Sequence, residues 1–321
     1  MSLQQEVFCL GHISVDVFVS RLSLQELRMG GCIGSDGLLI SGGGDAANVS
    51  FWLGKSKIPV SFVGVIANDS AGLFLKNELE KANVKCWLKI SSQFPSSTIL
   101  IVVEPNGERS HIANAKSQDD LLWEDLPLED ILASNLLYTS AYTIENAPIK
   151  DTVVRLFQYI KNEQKPQPKT MFNLAAYTTV EKYKLNIKKE IIPFTDILVG
   201  NKDEFNALVG NHTKQEVFKI GKNIIEKYPN IEVVLITDGE NGCYYFTERH
   251  HSQVAALPVS VIDTTGAGDA FCAGFISGYV SGKNMEQAVK IGTILGGKVC
   301  RGYGARYRSS EILMKEEGKM F

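Results

Sequence analysis

A carboxylate at the start of a glycine-rich helix is the residue of this sequence best placed to do chemistry. Residues 261–271 end an apolar strand, pass through polar turn formers and begin a helix, with Gly266, Ala267 and Gly268 directly before Asp269. The N–H groups and dipole of a helix start attract anions such as phosphate, and glycine lets a ligand approach the backbone closely. An acidic residue in a first turn also stabilises a helix, but beside a phosphate site it can accept a proton from an attacking hydroxyl group. We favour this second role for Asp269.

A second glycine-rich turn, residues 41–48, follows one predicted strand and opens a predicted helix. Gly42, Gly44 and Ala47 have the spacing of a dinucleotide-binding fingerprint, and Asp69 stands near the fingerprint's expected acidic position. By this alternative the protein is a nicotinamide- or flavin-dependent oxidoreductase. The alternative leaves the first glycine-rich stretch without a role.

Asn201 and Glu204 stand three positions apart at a predicted strand-to-helix junction. This is the spacing of a capping box, in which two side chains bond the backbone N–H groups of a helix start. The spacing alone therefore favours a structural role for this pair.

The elements that position these residues alternate between strands and helices over most of the chain. Apolar runs at residues 60–66, 136–140 and 233–236 are typical of buried strands, while residues 149–160 and 285–299 have the apolar spacing of helices. Such alternation predicts an α/β fold with a doubly wound, mostly parallel sheet.

Two regions, approximately residues 12–40 and 97–113, interrupt the alternation of strands and helices. Their sequence patterns are typical of antiparallel strands. Apolar and polar residues alternate in the first region and place Asp16 on the less apolar face of a strand. In the second region Asn106 and Gly107 lie between two alternating strands, which is a strong hairpin signal. We expect both regions to join in a small sheet over a single domain formed by residues 1–321.

Composition excludes several classes of function. With 44% hydrophobic and 21% charged residues, the chain has the composition of an ordinary globular protein. The net charge is −3 and basic residues form no long run, so neither nucleic acid nor an anionic membrane is expected as a partner. The sequence shows no signal segment and no apolar run of about eighteen residues, and we expect a cytoplasmic protein.

Taken together, the motifs resemble the ribokinase-like (PfkB) family of sugar and nucleoside kinases over nearly the whole chain. Residues 263–271 match the family's C-terminal signature residue for residue, and Gly43, Gly44 and Asn48 match the N-terminal signature. Residues 201–204 match its Asn-x-x-Glu motif. The resemblance implies a three-layer doubly wound sheet with a small antiparallel β lid. It also implies ATP- and Mg²⁺-dependent phosphorylation of a hydroxymethyl group on a sugar or sugar-like acceptor.

The same resemblance implies a role for each matched residue. Asp269 would deprotonate the acceptor hydroxyl, and the amides of Gly266, Ala267 and Gly268 would bind the transferring phosphoryl group. The implied acceptor-binding residues are Asp16, Gly43, Gly44 and Asn48. The implied nucleotide-binding residues are Asn201, Thr237, Gly239 and Gly242. The implied metal-binding residues are Glu204, for Mg²⁺ through water, and Asp263 and Thr265, for K⁺.

The family likeness leaves partners and acceptor open. The two inserted regions would form a lid that closes over the sugar and excludes water, and an apolar outer face would make the lid a homodimer contact. A nucleoside kinase is an alternative because residues 173–176 resemble a segment of adenosine kinases. The NAD-dependent oxidoreductase and a non-catalytic sugar sensor are further alternatives.

Overall fold

The computed structural model describes residues 6–20, 34, 37–103, 109–163, 167–210 and 217–306. The strands among them are β1 (Val7–Leu10), β2 (Ser14–Ser20), β3 (Gly37–Gly43), β4 (Val60–Ala67), β5 (Val84–Ser91), β6 (Thr98–Val103), β7 (Arg109–Asn114), β8 (Leu136–Ser140), β9 (Lys169–Asn173), β10 (Ile197–Asn201), β11 (Val233–Thr237), β12 (Cys243–Phe246) and β13 (His251–Val254). The helices are α1 (Asp45–Lys55), α2 (Ser70–Lys81), α3 (Leu128–Ala133), α4 (Ile149–Asn162), α5 (Tyr177–Asn186), α6 (Lys202–Val209), α7 (Val217–Lys227), α8 (Ala267–Val280) and α9 (Met285–Val299). This mixture confirms the predicted α/β class.

The main sheet of the described residues has nine strands in the order β13-β12-β11-β10-β9-β8-β1-β4-β5. Its pairs are parallel except where β12 meets β11 and β13. Successive side chains of β1 show that both faces are covered. Val7 and Cys9 pack in a core with α1, α2, α8 and α9, whereas Phe8 and Leu10 pack in a second core with α4, α5, α6 and α7. The sheet is therefore the middle of three layers.

A smaller sheet has the order β3-β2-β6-β7 and combines strands from both regions that interrupt the alternation. The hairpin predicted around Asn106 is confirmed, because β6 and β7 pair antiparallel. β2 and β3 are also antiparallel, but β2 and β6 run parallel. No tight turn joins β2 to β6, so nothing imposes the antiparallel direction there, and the sheet is mixed rather than antiparallel throughout. Residues 21–33, 35, 36 and 104–108 of the two regions lie outside the described part.

The topology removes the structural context of the dinucleotide fingerprint. That motif needs a strand of the parallel sheet before its glycines. The strand that contains Gly42 and ends directly before Gly44 is β3, which belongs to the smaller sheet. The oxidoreductase alternative loses its main support.

Two elements have no clear apolar pattern in the sequence, and we did not predict them. β5 is an edge strand that pairs with β4, and most of its residues are only partly buried. α5 buries only Thr179 and Val180 among its described residues. Partly solvated elements lack the periodicity that such predictions use.

α8 is buried over most of its length and packs against α9. A Cβ on Gly274 or Gly278 would stand 2.8 Å from the backbone of α9, which confirms that these glycines serve close packing. Although α8 is apolar, no helix in the described part of the chain has the length and hydropathy needed to cross a membrane.

Candidate active site

A cavity of about 510 Å³ opens where the parallel strands of the main sheet end. Five of its lining residues lie at or just after the carboxyl ends of β1, β8, β9, β10 and β11: His12, Tyr142, Asn173, Asn201 and Thr237. α1 and α8 contribute Asn48 and Asp269 from their first turns. Ligands of open α/β sheets bind at this edge of the sheet. The cavity is therefore the candidate active site.

The cavity brings together most of the site residues that the sequence predicts. Those that line it are Gly44, Asn48, Asn201, Glu204, Thr237, Thr265, Gly266, Gly268 and Asp269. Those that do not line it are Asp16, Gly43, Ala267, Gly239, Gly242 and Asp263. The residues that do not line the cavity can affect it only through the residues that do.

Asp269 belongs to a chain of hydrogen bonds that links three distant segments. Asn48 Nδ2 donates to Asp269 Oδ2 at 2.8 Å, and Arg306 Nε donates to Asn48 Oδ1 at 3.0 Å. Because a guanidinium group can only donate, Arg306 holds the Asn48 amide with its NH₂ group toward Asp269. Arg306 is itself buried, pairs with Glu78 and donates from Nη2 to the Gly43 carbonyl at 3.2 Å.

The surroundings of Asp269 suit a base that works near neutral pH. Burial raises its pKa to about 7, and the carboxylates of Asp45 and Asp16 act in the same direction. The Asn48 amide and the Arg306 charge oppose the rise. A carboxyl group with a pKa near the working pH is well matched to accept a proton from an alcohol.

Gly43 and Gly44 shape the wall beside Asp16. A Cβ on Gly43 would lie 2.1 Å from Asp16 Oδ2, so only glycine leaves room for this carboxylate. Gly44 has φ 87°, and a Cβ there would lie 2.4 Å from the His12 carbonyl oxygen. Asp16 is buried and accepts a hydrogen bond from Ser14 Oγ at 2.8 Å, and burial raises its pKa to about 6. Ser14, rather than Asp16, lines the cavity.

The glycines before Asp269 have different functions. Gly266 has φ 76°, and a Cβ there would lie 2.3 Å from that of Ala305, so packing requires glycine at this position. A Cβ on Gly268 would meet nothing within 4 Å, so the cavity is open beside this residue. The N–H group of Ala267 donates to the Thr264 carbonyl oxygen at 3.1 Å. Of these three residues, Gly268 presents the most accessible backbone to an anion.

Asn201 and Glu204 form the capping box that their spacing predicts. Asn201 N donates to Glu204 Oε2 at 2.8 Å, and Glu204 N donates to Asn201 Oδ1 at 2.9 Å. Glu204 is only 5% exposed, and burial raises its pKa to about 7. The described residues contain no cluster of three or more histidine, cysteine or acidic side chains that could hold a metal alone. One carboxylate at a phosphate site nevertheless fits Mg²⁺, which keeps several waters and binds substrate phosphates.

The predicted nucleotide residues after β11 are only partly in the cavity. Thr237 lines it, whereas Gly239 is exposed with φ 53°. Gly242 is buried with φ 87°, and a Cβ there would lie 2.1 Å from the Val254 carbonyl oxygen. Packing against β13 therefore explains the glycine at position 242 without a ligand.

Asp263 connects two loops beside the start of α8. Its Oδ1 accepts from the backbone N–H and the hydroxyl of Thr265 at 2.8 and 2.7 Å, and its Oδ2 accepts from Gly304 N at 2.9 Å. The carboxylate is only 2% exposed. The loop that holds it leads directly to Gly266, so Asp263 helps to fix the helix start.

Two charged residues of the site escaped prediction. Arg306 lies far along the chain from Asn48 and belongs to no recognised motif. Asp45 was visible only as the residue after Gly44, where an acidic side chain is a normal helix N-terminal stabiliser. A sequence signal for either residue is weak, because their roles depend on contacts across the fold.

Comparison with known proteins identifies the relatives of this fold and site. The sequence model of the pfkB family carbohydrate kinases matches residues 5–312. A 5-dehydro-2-deoxygluconokinase from Bacillus subtilis is 27% identical, and the alignment covers 78% of each chain. An adenosine kinase from Dictyostelium discoideum is 22% identical, with 95% of this chain and 97% of the relative covered.

Solved structures agree with the fold over nearly the whole length. A fructokinase from Vibrio cholerae, solved with fructose, ADP and calcium ion, superposes with a TM-score of 0.79 at 20% identity, covering 97% of this chain and 98% of that one. A double mutant of that fructokinase, solved with fructose, ADP and potassium ion, also gives a TM-score of 0.79, at 19% identity, covering 96% of this chain and 97% of that one.

Proposed function

Because the chain belongs to the pfkB family of carbohydrate kinases, we propose that its cavity binds a sugar and ATP and transfers a phosphoryl group to a hydroxymethyl group of the sugar. The protein is thus a phosphotransferase with an alcohol group as acceptor. The observation that carries the proposal is the hydrogen bond from Asn48 to Asp269 in a cavity at the carboxyl ends of the strands.

Asp269 accepts the proton of the attacking hydroxyl group in this mechanism. Asn48 and Arg306 orient its carboxylate, and the open backbone at Gly268 faces the transferring phosphoryl group. Asn48 would hold the acceptor beside this base, and Asp16 would join it, although Ser14 rather than Asp16 lines the cavity. Phosphoryl transfer depends mainly on such positioning and on stabilisation of charge. General-base assistance accounts for about 10² to 10⁴ of the rate in typical cases.

Replacement of the base tests the proposal. Asp269→Asn keeps the shape of the side chain and its contact with Asn48 but removes the proton acceptor. We expect kcat for the best sugar to fall roughly 10²- to 10⁴-fold with little change in its KM. The measurement is ADP formation with a panel of fructose, ribose, ketodeoxygluconate and adenosine. Asp151→Asn, an exposed change on α4, is the matched control, and an Asp269→Asn enzyme of full activity would exclude Asp269 as the base.

Glu204 and Asn201 would hold Mg²⁺ through water. When bound, Mg²⁺ neutralises charge on the phosphates of the nucleotide. Glu204→Gln keeps an oxygen for the helix cap but loses the charge, so we expect the Mg²⁺ concentration for half-maximal activity to rise roughly 10-fold or more. Asp203→Asn, its exposed neighbour, is the control. An unchanged Mg²⁺ titration would contradict the role of Glu204.

A monovalent cation site at Asp263 and Thr265 is a further part of the proposal. The support is a buried carboxylate beside the Thr265 hydroxyl next to the helix start, together with the potassium ion of the fructokinase double mutant. Oxygen ligands suit such hard cations. Activity that is the same in KCl and in tetramethylammonium chloride would remove K⁺ from the proposal.

The smaller sheet would act as the lid, and its outer face as the contact of a homodimer. One row of aligned residues crosses all four strands on the face opposite to Asp16: Ile40, Val17, Leu100 and Ile112. Ile40 and Ile112 are 53% and 62% exposed. An apolar face of this kind is typical of an interaction site. A second copy of the chain can cover it with its own identical face, related by two-fold symmetry.

Phosphorylation of a nucleoside is the second candidate function. The adenosine kinase relative covers almost the whole chain, and Asn173 and Ala175 of the segment that resembles adenosine kinases line the cavity. Adenosine in the acceptor panel separates the two candidates, because a sugar kinase would prefer fructose or ribose by its kcat/KM.

A further inference from the structure

The smaller sheet forms part of the cavity wall, so its position relative to the main sheet decides the shape of the site. Ser14 at the start of β2 and Ile99 in β6 line the cavity. In the described residues, the chain passes between the smaller sheet and the rest of the domain at these places: residues 11–13, residue 44, residues 92–97 and residue 115. The contacts that fix these crossings therefore fix the cavity wall.

The crossing at residues 92–97 contains two adjacent buried serines that bond to different parts of the molecule. The carbonyl oxygen of Ser97 accepts from Val15 N in β2 at 2.9 Å, and its hydroxyl lies 3.0 Å from that of Ser117, in the segment after β7. The hydroxyl of Ser96 instead accepts from the N–H group of Ala67, the last residue of β4 in the main sheet, at 2.8 Å. The boundary between the smaller sheet and the rest of the domain thus runs between Ser96 and Ser97.

Asp69 anchors this boundary to the rest of the domain. Its Oδ1 accepts from the Ser96 hydroxyl and from Gly72 N, both at 2.7 Å, and its Oδ2 accepts from Ser96 N at 2.9 Å. The bond with Gly72 caps α2, and a cap of this kind needs only one side-chain oxygen. The two bonds with Ser96 therefore go beyond what the helix requires, and bonds to a carboxylate are among the stronger ones. A Cβ on Gly72 would lie 2.8 Å from the Ser96 hydroxyl oxygen, so this serine is also closely packed.

We infer that the smaller sheet turns about the link between Ser96 and Ser97, and that Asp69 fixes this pivot and so positions the smaller sheet for phosphoryl transfer. The inference rests on the proposed kinase function, in which the smaller sheet is the lid. Asp69 does not line the cavity, so it is a positioning residue. A lid without a fixed pivot can take many orientations, few of which close the cavity and exclude water.

Asp69→Asn tests the pivot. Asparagine can still accept one hydrogen bond for the cap of α2, but its NH₂ group cannot accept from a second backbone N–H group. Loss of a hydrogen bond to a charged group changes an equilibrium roughly 10-fold, so we expect the KM of the best acceptor in the panel to rise by roughly this factor. ADP and phosphorylated acceptor are measured in the same reaction. The two amounts should be equal for the wild type, whereas ADP should exceed phosphorylated acceptor for the variant because water reaches the phosphoryl group.

Hydrogen exchange gives a readout that does not depend on turnover. Binding of ADP and acceptor should slow the exchange of amides in β6 and β7 of the wild type, and we expect Asp69→Asn to lose most of this added protection. Ser96→Ala is a second variant, which keeps the bond between Asp69 and Gly72 and removes only the serine hydroxyl. It should raise the acceptor KM and reduce the protection in the same direction.

Asn284→Ala is the matched control, because Asn284 caps α9 in the main domain through the same kind of bond, to Gln287 N at 2.9 Å. Loss of either cap should lower the melting temperature, but only the variants at the pivot should change the acceptor KM and the exchange of β6 and β7. If neither Asp69→Asn nor Ser96→Ala changes these quantities, the inference is overturned and the kinase function stands. A wild-type enzyme that phosphorylates no acceptor of the panel overturns the proposed function itself.

Discussion

At the scale of single residues, the orientation of Asn48 connects the base to the rest of the protein. Its amide donates to Asp269 on one side and accepts from Arg306 on the other, at 2.8 and 3.0 Å. A freely rotating amide could instead present its oxygen to the carboxylate and repel it. Arg306 prevents this rotation because it offers only donors. A residue from the C-terminal segment of the described chain thereby positions the carboxylate that we propose as the base.

Arg306→Lys tests this positioning role. Lysine keeps the charge but not the planar group that reaches Asn48, Gly43 and Glu78 together. The pKa of Asp269 should rise, because the Asn48 amide that Arg306 orients holds it down and lysine cannot keep that orientation. We therefore expect the acidic limb of the kcat profile to move upward by about one pH unit, and kcat at pH 7 to fall roughly 5-fold.

The control for this variant is Arg155→Lys on α4, where Arg155 stacks on the Trp123 ring. Both variants exchange the same chemical groups and both weaken packing. Only the first should move the pH profile. If the pH profile of kcat is unchanged and only the melting temperature falls, Arg306 has a structural role and does not tune Asp269.

Local signals decided which site residues the sequence could predict. Asp269, Asn48 and Glu204 stand in contiguous motifs, so their spacing alone brought them to attention. Arg306 is separated from Asn48 by 258 positions, and no motif around Arg306 in the sequence indicates that the two residues are in contact. Asp45 looked like an ordinary helix start, and only its burial on the cavity wall distinguishes it.

At the scale of elements, the strands buried along their whole length were predicted well, whereas the partly buried edge strand β5 was not. β4 and β8 are buried along their whole length and read as continuous apolar runs. β5 is an edge strand with mixed burial, and its sequence lacks such a run. The direction in which β2 meets β6 also escaped prediction, because it follows from packing over the main sheet rather than from any local turn.

Ile40→Glu tests whether the smaller sheet forms a dimer. The substitution places a charge in the apolar row that also contains Val17, Leu100 and Ile112. Since a two-fold interface repeats each residue, two charges would be buried per dimer, and we expect dissociation to the monomer in sedimentation velocity. Leu185→Glu on α5, where Leu185 is 63% exposed, is the control. A wild-type protein that sediments as a monomer at all accessible concentrations would contradict the proposal.

At the scale of the whole molecule, the fold places carboxyl groups in and beside the cavity where they are largely removed from water. Burial raises the pKa of Asp16 to about 6 and the pKa values of Glu204 and Asp269 to about 7. The ordinary values are 3.8 for aspartate and 4.5 for glutamate. The proposed roles of Asp269 and Glu204 need ionised carboxylates, whereas the ligand-free fold is more stable when these groups are protonated. The site therefore lowers the stability of the protein at the pH where the enzyme works.

The consequence is a stability that falls as pH rises. Between pH values of about 4 and 7 the folded state holds protons that the unfolded chain has released, so the free energy of unfolding decreases across this window and levels off above it. Asp269→Asn removes one such group. We expect the variant to be more stable than the wild type at pH 8, by roughly 1 to 3 kcal/mol or a few degrees in Tm, and equally stable near pH 4. Calorimetry of the ligand-free proteins at both pH values checks this expectation. For the control Asp151→Asn, the difference in stability from the wild type should be the same at both pH values. A variant less stable than the wild type at pH 8 would mean that Asp269 contributes more through its bond with Asn48 than burial of its charge costs.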